Sequence, residues 1–274
     1  MTNIGRRGAI GLIGAAASLA ATRAPAATGE ADRLRTYMRM RGALDDRLVI
    51  GWIDGRYSGI VDGEPTPLYG VVAATFARHR ARPGGGFEAV TWELAFFTDL
   101  ATGKVLSDFR NPYTGETVTV PAGGQPAAKI AFLPDLSLKI MREMPGFAFD
   151  HQVLPFVTSG DDLWITEVTR TAAQIPGQPR PFRYNETTIL HARRSDLAGP
   201  AKRVPCQTTF NGVVSWRPWL MMGDRPGHLL GVGAGVYGAK LEALPPAWLA
   251  ATRERRPELF KDPAAVLEPL WSKS

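Results

Sequence analysis

Residues 206–240 read CQTTFNGVVSWRPWLMMGDRPGHLLGVGAGVYGAK, and this stretch decides the fold because it predicts two β-strands joined by a turn. The first strand is apolar and β-branched, residues 223–227 have the composition of a turn, and the second strand begins at His228. Side chains alternate between the faces of a strand, so one face of the second strand carries three glycines and a tyrosine: Gly231, Gly233, Gly235 and Tyr237. A row of glycine indicates that protein or a ligand approaches the backbone closely. We expect this face to border an enclosed space shared with Trp216 or Arg217.

Short β-type runs recur along most of the chain, with turn residues between them. Further predicted strands cover residues 48–52, 68–79, 87–98, 105–109, 117–120, 147–157, 163–171 and 182–191. This spacing favours an antiparallel barrel or sandwich over an α/β fold. We therefore predict a mostly β protein, a calycin-like or related antiparallel barrel with a few flanking helices, as a single domain over residues 27–274.

Two segments outside the strands have helical character. Residues 32–44 carry apolar side chains at roughly helical spacing and are expected to plug or cover the sheet. From about Leu244, two prolines precede a short helix over residues 247–255, and later prolines prevent a longer one. This helical and Pro-rich tail is expected to pack over the barrel or to reach the partner subunit of a homodimer. Residues 121–146 show no clear pattern.

The first 26 residues have the features of a twin-arginine signal peptide. Arg6 and Arg7 precede a mildly apolar run at residues 9–21, and Ala24-Pro25-Ala26 is a small-residue cleavage site. The apolar run is too short, and too rich in Gly and Ala, to span a bilayer. We expect export of a folded chain to the periplasm or the outside of a bacterium, with no stable membrane span.

The charge balance argues against a nucleic-acid partner. The 274 residues carry a formal net charge of +6, but removal of Arg6, Arg7 and Arg23 with the leader leaves 29 basic residues against 26 acidic ones. Such a small excess predicts no binding to nucleic acid.

Metal and cofactor signals are weak. The four histidines His79, His151, His191 and His228 lack the spacing of metal ligands. Residues 233–238 fit the G-x-G-x-x-G pattern, but no helix follows and the chain has no alternating β and α units. The single cysteine, Cys206, is expected to be a small buried side chain. We predict neither a metal nor a cofactor.

Several blocks of sequence resemble the DUF1838 family. They are RGALD at residues 41–45, YGVV at 69–72, DLATG at 99–103, NPYTGE at 111–116, YNE at 184–186, WRPWLMMG at 216–223, PGHL at 226–229 and LPP at 244–246. The resemblance covers nearly the whole mature chain, in the order of the family. Because that family is functionally uncharacterised and often carries a twin-arginine leader, the resemblance implies no catalytic residues.

The residues themselves suggest a site inside the barrel. Glu167 shares a strand face with Leu163 and Ile165, and a carboxylate on an apolar face must be paired, solvated or raised in pKa. The predicted acid and base groups are His151, Glu167, Glu186 and His228. The predicted ligand contacts are Tyr113, Tyr184, Trp216, Arg217, Trp219 and Tyr237, with Arg217 holding an anionic group. Two simpler interpretations stay open: these side chains form a structural network, and Tyr113 belongs only to a tight turn at residues 111–116.

Two classes of function fit this pattern. One is a cofactor-independent lyase, isomerase or hydratase that acts on a small hydrophobic or aromatic molecule through His and Glu. The other is a non-catalytic carrier of such a molecule, which needs only apolar lining. A third class, an interaction module that docks through its tail, would have no cavity.

Overall fold

A computed structural model of the chain describes residues 29–124, 127–141, 145–177 and 180–272. The predicted leader at residues 1–26 lies outside the described residues. The described part of the chain is mostly β, which confirms the predicted fold class.

The strands are β1 (Val49–Val61), β2 (Glu64–Ala81), β3 (Phe87–Thr98), β4 (Asp108–Arg110), β5 (Thr117–Thr119), β6 (Ala128–Phe132), β7 (Leu138–Ile140), β8 (Phe147–Val153), β9 (Val157–Ser159), β10 (Asp162–Ala173), β11 (Phe182–Arg193), β12 (Cys206–Val214) and β13 (His228–Ala239). The α-helices are α1 (Glu30–Arg41), α2 (Arg194–Ala198), α3 (Pro246–Arg255) and α4 (Glu268–Trp271). Short 3₁₀ helices lie at Pro218–Leu220, Leu241–Ala243 and Pro257–Phe260. Within the described ranges, no helix is both long enough and apolar enough to cross a membrane.

One antiparallel sheet forms the body of the protein. Its strand order is β7-β6-β3-β2-β1-β13-β12-β11-β10-β8, and β9 adds to β10. The sheet curls into a nearly closed barrel, as predicted. Strands β4 and β5 form a separate hairpin, while β6 and β7 extend the sheet beyond β3 from the stretch that had no clear pattern.

The outer face of the barrel is covered on one side by the C-terminal tail. Trp248 of α3 is fully buried, packs against Phe76 and Phe96, and donates its indole N–H to the Leu94 carbonyl at 2.9 Å. The apolar side chains of β3 at residues 90, 92, 94 and 96 therefore point outward, under the tail. Because strand side chains alternate, Glu93 points into the barrel.

Helix α1 plugs one end of the barrel. The Tyr37 ring packs edge-on against Phe132 of β6, with centroids 5.9 Å apart. Its hydroxyl donates to Glu167 Oε1 of β10 at 2.7 Å. Because β6 and β10 lie near opposite ends of the strand order, α1 connects the two ends of the curled sheet from the inside.

The glycine face of β13 points inward but does not border a free space, so that prediction is wrong. A Cβ at Gly231 or Gly233 would meet the rings of Tyr57 and Phe210, and one at Gly235 would meet the β1 backbone. The glycines allow two aromatic rings to lie directly on the strand. The protein's own side chains therefore fill the space beside these glycines. Any space for a ligand must lie elsewhere along the barrel.

Substitution of Gly233 tests this packing. A Cβ there would lie 2.8 Å from the Asp54 carbonyl oxygen as well as against Phe210, so backbone must move. We expect Gly233→Ala to lower the free energy of unfolding by about 1–3 kcal/mol, the usual cost of overpacking. Urea unfolding measures the change. On the neighbouring strand, Gly212→Ala is the control, because its nearest contact would be an ordinary 3.7 Å; equal effects of the two variants would contradict the assignment.

Candidate active site

A layer of polar side chains crosses the middle of the barrel interior. It consists of Arg41, Thr75, Glu93, Glu167, Tyr184, Glu186, Thr188 and Tyr237, and we call this set the polar layer. One apolar cluster, around α1 and Ile165, lies on one side of it, and an aromatic cluster around Tyr69 and Trp219 lies on the other. Several members, among them Glu93, Tyr184 and Glu186, remain only partly buried although they face the interior. These side chains of the polar layer are therefore not fully enclosed by the protein.

An ion pair anchors the polar layer to the plug. Arg41 Nε lies 3.1 Å from Glu167 Oε1, which also accepts the Tyr37 hydroxyl. The Arg41 guanidinium sits 4.4 Å from the centroid of the Tyr237 ring. Glu167 is only 5% exposed, and a carboxylate buried so deeply needs such partners to stay ionised. Glu167 thus neutralises a buried cation, and its Oε1 is not free for proton transfer.

His151 lies on the same inner wall as Glu167. It pairs with Thr169 of β10, two residues along from Glu167, and its ring stacks parallel to Phe149. Both ring nitrogens are buried without a hydrogen-bond partner. Burial lowers the pKa of His151, against the opposing influence of the Glu167 charge. The imidazole is therefore neutral at physiological pH.

Glu186 is held by hydroxyl groups. Tyr184 donates to Glu186 Oε2 and Thr188 donates to Oε1, each at 2.7 Å. These residues alternate along β11, so all three side chains point inward. Residues 184 and 186 have the same parity along the strand, and the structure brings their side chains into contact. Both carboxylate oxygens therefore act as hydrogen-bond acceptors.

Glu93 faces Glu186 across the barrel. Their strands, β3 and β11, are separated by four others in the strand order, so they form opposite walls. The Thr75 hydroxyl donates to Glu93 Oε2 at 3.3 Å, and the described residues place no cation within 4.0 Å of this carboxyl. Burial raises the pKa of Glu93 to about 7, and the charge of Glu186 adds to the effect. Glu93 is thus divided between acid and carboxylate near neutral pH.

Arg217 lies at the aromatic end of the interior. Its guanidinium carbon is 5.1 Å from the centroid of Tyr57 and 5.0 Å from that of Phe97, and its Nη2 donates to the Tyr57 hydroxyl at 3.3 Å. Trp219, two residues on, packs against Tyr69 with centroids 5.2 Å apart. The structure therefore brings Arg217 and Trp219 to the interior, as predicted from the sequence, but at the border of the polar layer.

Three predicted residues lie away from the polar layer. Trp216 packs edge-on against Tyr113 at 5.4 Å, and its indole N–H donates to the carbonyls of Arg225 and Pro226 at 3.2 and 3.3 Å. Tyr113 belongs to a turn that Asn111 anchors, through a 2.7 Å bond from its Nδ2 to the Leu220 carbonyl. His228 occupies the face opposite to the inward side chain of Leu229. The structure does not bring His228 to the other acid and base candidates.

Four members of the polar layer were not among the predicted site residues: Arg41, Thr75, Glu93 and Thr188. Arg41 had been read only as part of the covering helix, and its partner lies 126 positions away in the chain. Glu93 alternates with the apolar residues Trp92 and Leu94 of its strand, and this parity was a usable signal for an inward carboxyl. Within the described ranges, no three His, Cys, Asp or Glu side chains are placed to hold a metal ion.

The raised pKa of Glu93 predicts a pH-dependent cost of folding. Below its ordinary value of 4.5, both the folded and the unfolded carboxyl are protonated, and there is no cost. Between pH 4.5 and about 7 the unfolded carboxyl ionises first, so the free energy of unfolding falls as pH rises. The fall attributable to Glu93 should reach about 2–3 kcal/mol and level off above pH 7.

Urea unfolding of the natural chain and of Glu93→Gln between pH 4 and 8 measures this cost. We expect equal stability at pH 4 and a more stable variant at pH 8. Glu64→Gln, at an exposed glutamate of β2, is the control and should show no pH-dependent difference. A constant difference between Glu93→Gln and the natural chain across this pH range would contradict the assignment.

Comparison with known proteins gives a family but no activity. No curated protein sequence matches this chain. The family model described as "Protein of unknown function (DUF1838)" matches residues 45–270, which span β1 to α4 and so the whole barrel with its tail. The matched region includes every inward carboxyl described above. The chain therefore belongs to the DUF1838 family.

Proposed function

We propose that the barrel interior binds a small hydrophobic or aromatic molecule, and that the protein is a cofactor-independent enzyme that moves a proton on it. A lyase, isomerase or hydratase reaction fits this chemistry. The observation that carries the proposal is the pair of inward carboxyls on opposite walls, Glu93 and Glu186. Their environments differ, and such a difference is what separates an acid from a base.

Each carboxyl has a distinct role in the proposal. Glu93, with a pKa of about 7, can give or take a proton near neutral pH at little cost. Glu186 is fixed in orientation by Tyr184 and Thr188, and it serves as the partner that accepts or returns the second proton. The sequence predicted four acid and base groups: His151, Glu167, Glu186 and His228. In the proposal Glu186 keeps this role, and Glu93 takes the place of the other three.

The aromatic cluster supports a substrate with an apolar part. The rings of Tyr57, Tyr69, Phe97 and Trp219 pack beside Arg217, next to the polar layer. Flat apolar walls next to a few oriented polar groups are the usual make-up of a small-molecule site. A carrier would use the same walls, but it has no need of a carboxyl whose pKa is about 7.

Glu93→Gln tests catalysis without a known substrate. Small-molecule extract of the source cells is incubated with the natural chain or the variant, and changes are followed by liquid chromatography and mass spectrometry. We expect the natural chain to deplete at least one compound, and the isosteric variant to deplete it about 100-fold or more slowly, a typical loss for an acid or base group.

Glu64→Gln is the control for this assay and should act as the natural chain does. Equal depletion by Glu93→Gln would contradict the role of Glu93. If native mass spectrometry finds one unchanged molecule bound to both chains and no compound is depleted, the protein is a carrier.

We also propose that the chain acts outside the cytoplasm, because residues 1–26 have the pattern of a twin-arginine signal. Replacement of both Arg6 and Arg7 by Lys should retain the protein in the cytoplasm, as seen by immunoblotting of cell fractions. The control is Arg23→Lys, which lies outside the paired arginines and should not affect export. Normal export of the double variant would contradict the proposal.

A further inference from the structure

Arg217 differs from Arg41, which pairs with Glu167, because it has no anionic partner in the described part of the chain. Among the described residues, no carboxylate lies within 4.0 Å of its guanidinium. Its Nη2 donates to the Tyr57 hydroxyl at 3.3 Å, and its Nε, like those of Arg39 and Arg41, is buried without a hydrogen-bond partner among these residues. A cation in such a place keeps much of its desolvation cost uncompensated.

Two other buried or half-buried arginines have an acceptor from the protein. Arg41 pairs with Glu167 at 3.1 Å, and Arg39 donates to the carbonyls of Leu197 and Gly199 at 2.6 and 2.8 Å. These contacts explain why Arg41 and Arg39 are tolerated in the interior. Among the described residues, Arg217 has no comparable carboxylate or carbonyl partner; its contacts are the rings of Tyr57 and Phe97 and the Tyr57 hydroxyl.

A second donor without an acceptor lies next to Arg217. Tyr69 is 0% exposed, its hydroxyl lies where it can accept a hydrogen bond from Arg217, and within the described ranges no acceptor faces its own O–H. Burial raises the pKa of Tyr69, against the opposing influence of the Arg217 charge, so the hydroxyl remains protonated. The guanidinium and this hydroxyl present several N–H and O–H donors, while the matching acceptor is missing.

The aromatic rings around Arg217 indicate which kind of acceptor would fit beside it. The guanidinium lies between the rings of Tyr57 and Phe97, and Trp219 packs against Phe97 with centroids 5.4 Å apart. A planar carboxylate matches the fork of a guanidinium, and an attached ring matches aromatic walls. The charge of Arg217 also acts on Tyr184, whose hydroxyl donates to Glu186. A molecule held at Arg217 is therefore next to the polar layer.

We propose that Arg217 and Tyr69 bind the carboxylate of an aromatic organic acid, which places the rest of that molecule at Glu93 and Glu186. This inference rests on the proposed function, since it names the substrate class of the same site. The bound carboxylate would neutralise Arg217 and give the Tyr69 hydroxyl its acceptor.

Without ligand, the loss of Arg217 and the loss of Arg41 should affect stability in different ways. Arg217→Met removes a cation that has no counterion and keeps a long apolar side chain, so it should leave the melting temperature unchanged or raise it by about 2–4 °C. Arg41→Met is the matched comparison, because it leaves Glu167 buried and unpaired. It should lower the melting temperature by about 10 °C.

Binding is tested on the full mature chain with a defined panel: benzoate, phenylacetate, cinnamate and 2-naphthoate, each with its neutral amide. Thermal unfolding and isothermal titration calorimetry are the readouts. We expect at least one carboxylate to raise the melting temperature and its amide to have no effect. Arg217→Met should abolish this shift, and Arg217→Lys should weaken binding about 10-fold or more, because a single ammonium cannot make the paired contact.

Three results would overturn the proposal. One is a drop in melting temperature for Arg217→Met more than half as large as that for Arg41→Met, which would make Arg217 structural. The second is an equal shift by carboxylates and amides, and the third is no shift by any carboxylate of the panel. If Glu93→Gln blocks depletion of a compound that proves to be uncharged, the proposed function stands and the acid-binding role of Arg217 falls.

Discussion

The contact among Arg41, Glu167 and Tyr37 is the constraint on which the interior depends. A curled sheet with two free ends needs something to hold them together, and α1 does this from inside by touching β6 with one ring and β10 with one hydroxyl. The same helix brings a guanidinium into the barrel, which Glu167 must neutralise. The plug and the polar layer therefore exist together, because the pair that ties the helix in place also brings charge to the middle of the barrel.

The other polar groups of the interior differ in how many partners the protein provides for each. Glu186 is engaged by two hydroxyls, while Glu93 has only a 3.3 Å contact with Thr75. Arg217 has no anion at all beside it among the described residues. An interior evolved only for stability would pair or remove such groups. Their persistence side by side is the physical reason for regarding this barrel as a site and not only as a scaffold.

The alternation of side chains along strands made the inward-facing residues predictable. The contacts between segments that are distant in the sequence were not predictable. Glu167, Tyr184 and Glu186 face inward because of their parity, and the same rule assigned Glu93 to the face opposite the apolar one. His228 has the same parity as Val232, so the alternation rule puts its side chain on the face opposite the glycines. The predicted site role of His228 did not take this alternation into account. The pairing of Arg41 with Glu167 and the position of Glu186 opposite Glu93 depend on how the sheet curls, and the local sequence carries no signal for that. The glycine face was misread because protein rings and a ligand require the same bare backbone.

The most direct test of the account is crystallography with a heavy-atom acid. Crystals of the mature chain soaked in 4-bromobenzoate are measured at the bromine absorption edge, so that the halogen is located independently of the protein phases. The account predicts a bromine peak inside the barrel, with the carboxylate at Arg217 and Tyr69 and no such peak in Arg217→Met crystals. A barrel interior without bromine, or the same interior peak in the variant, would contradict it.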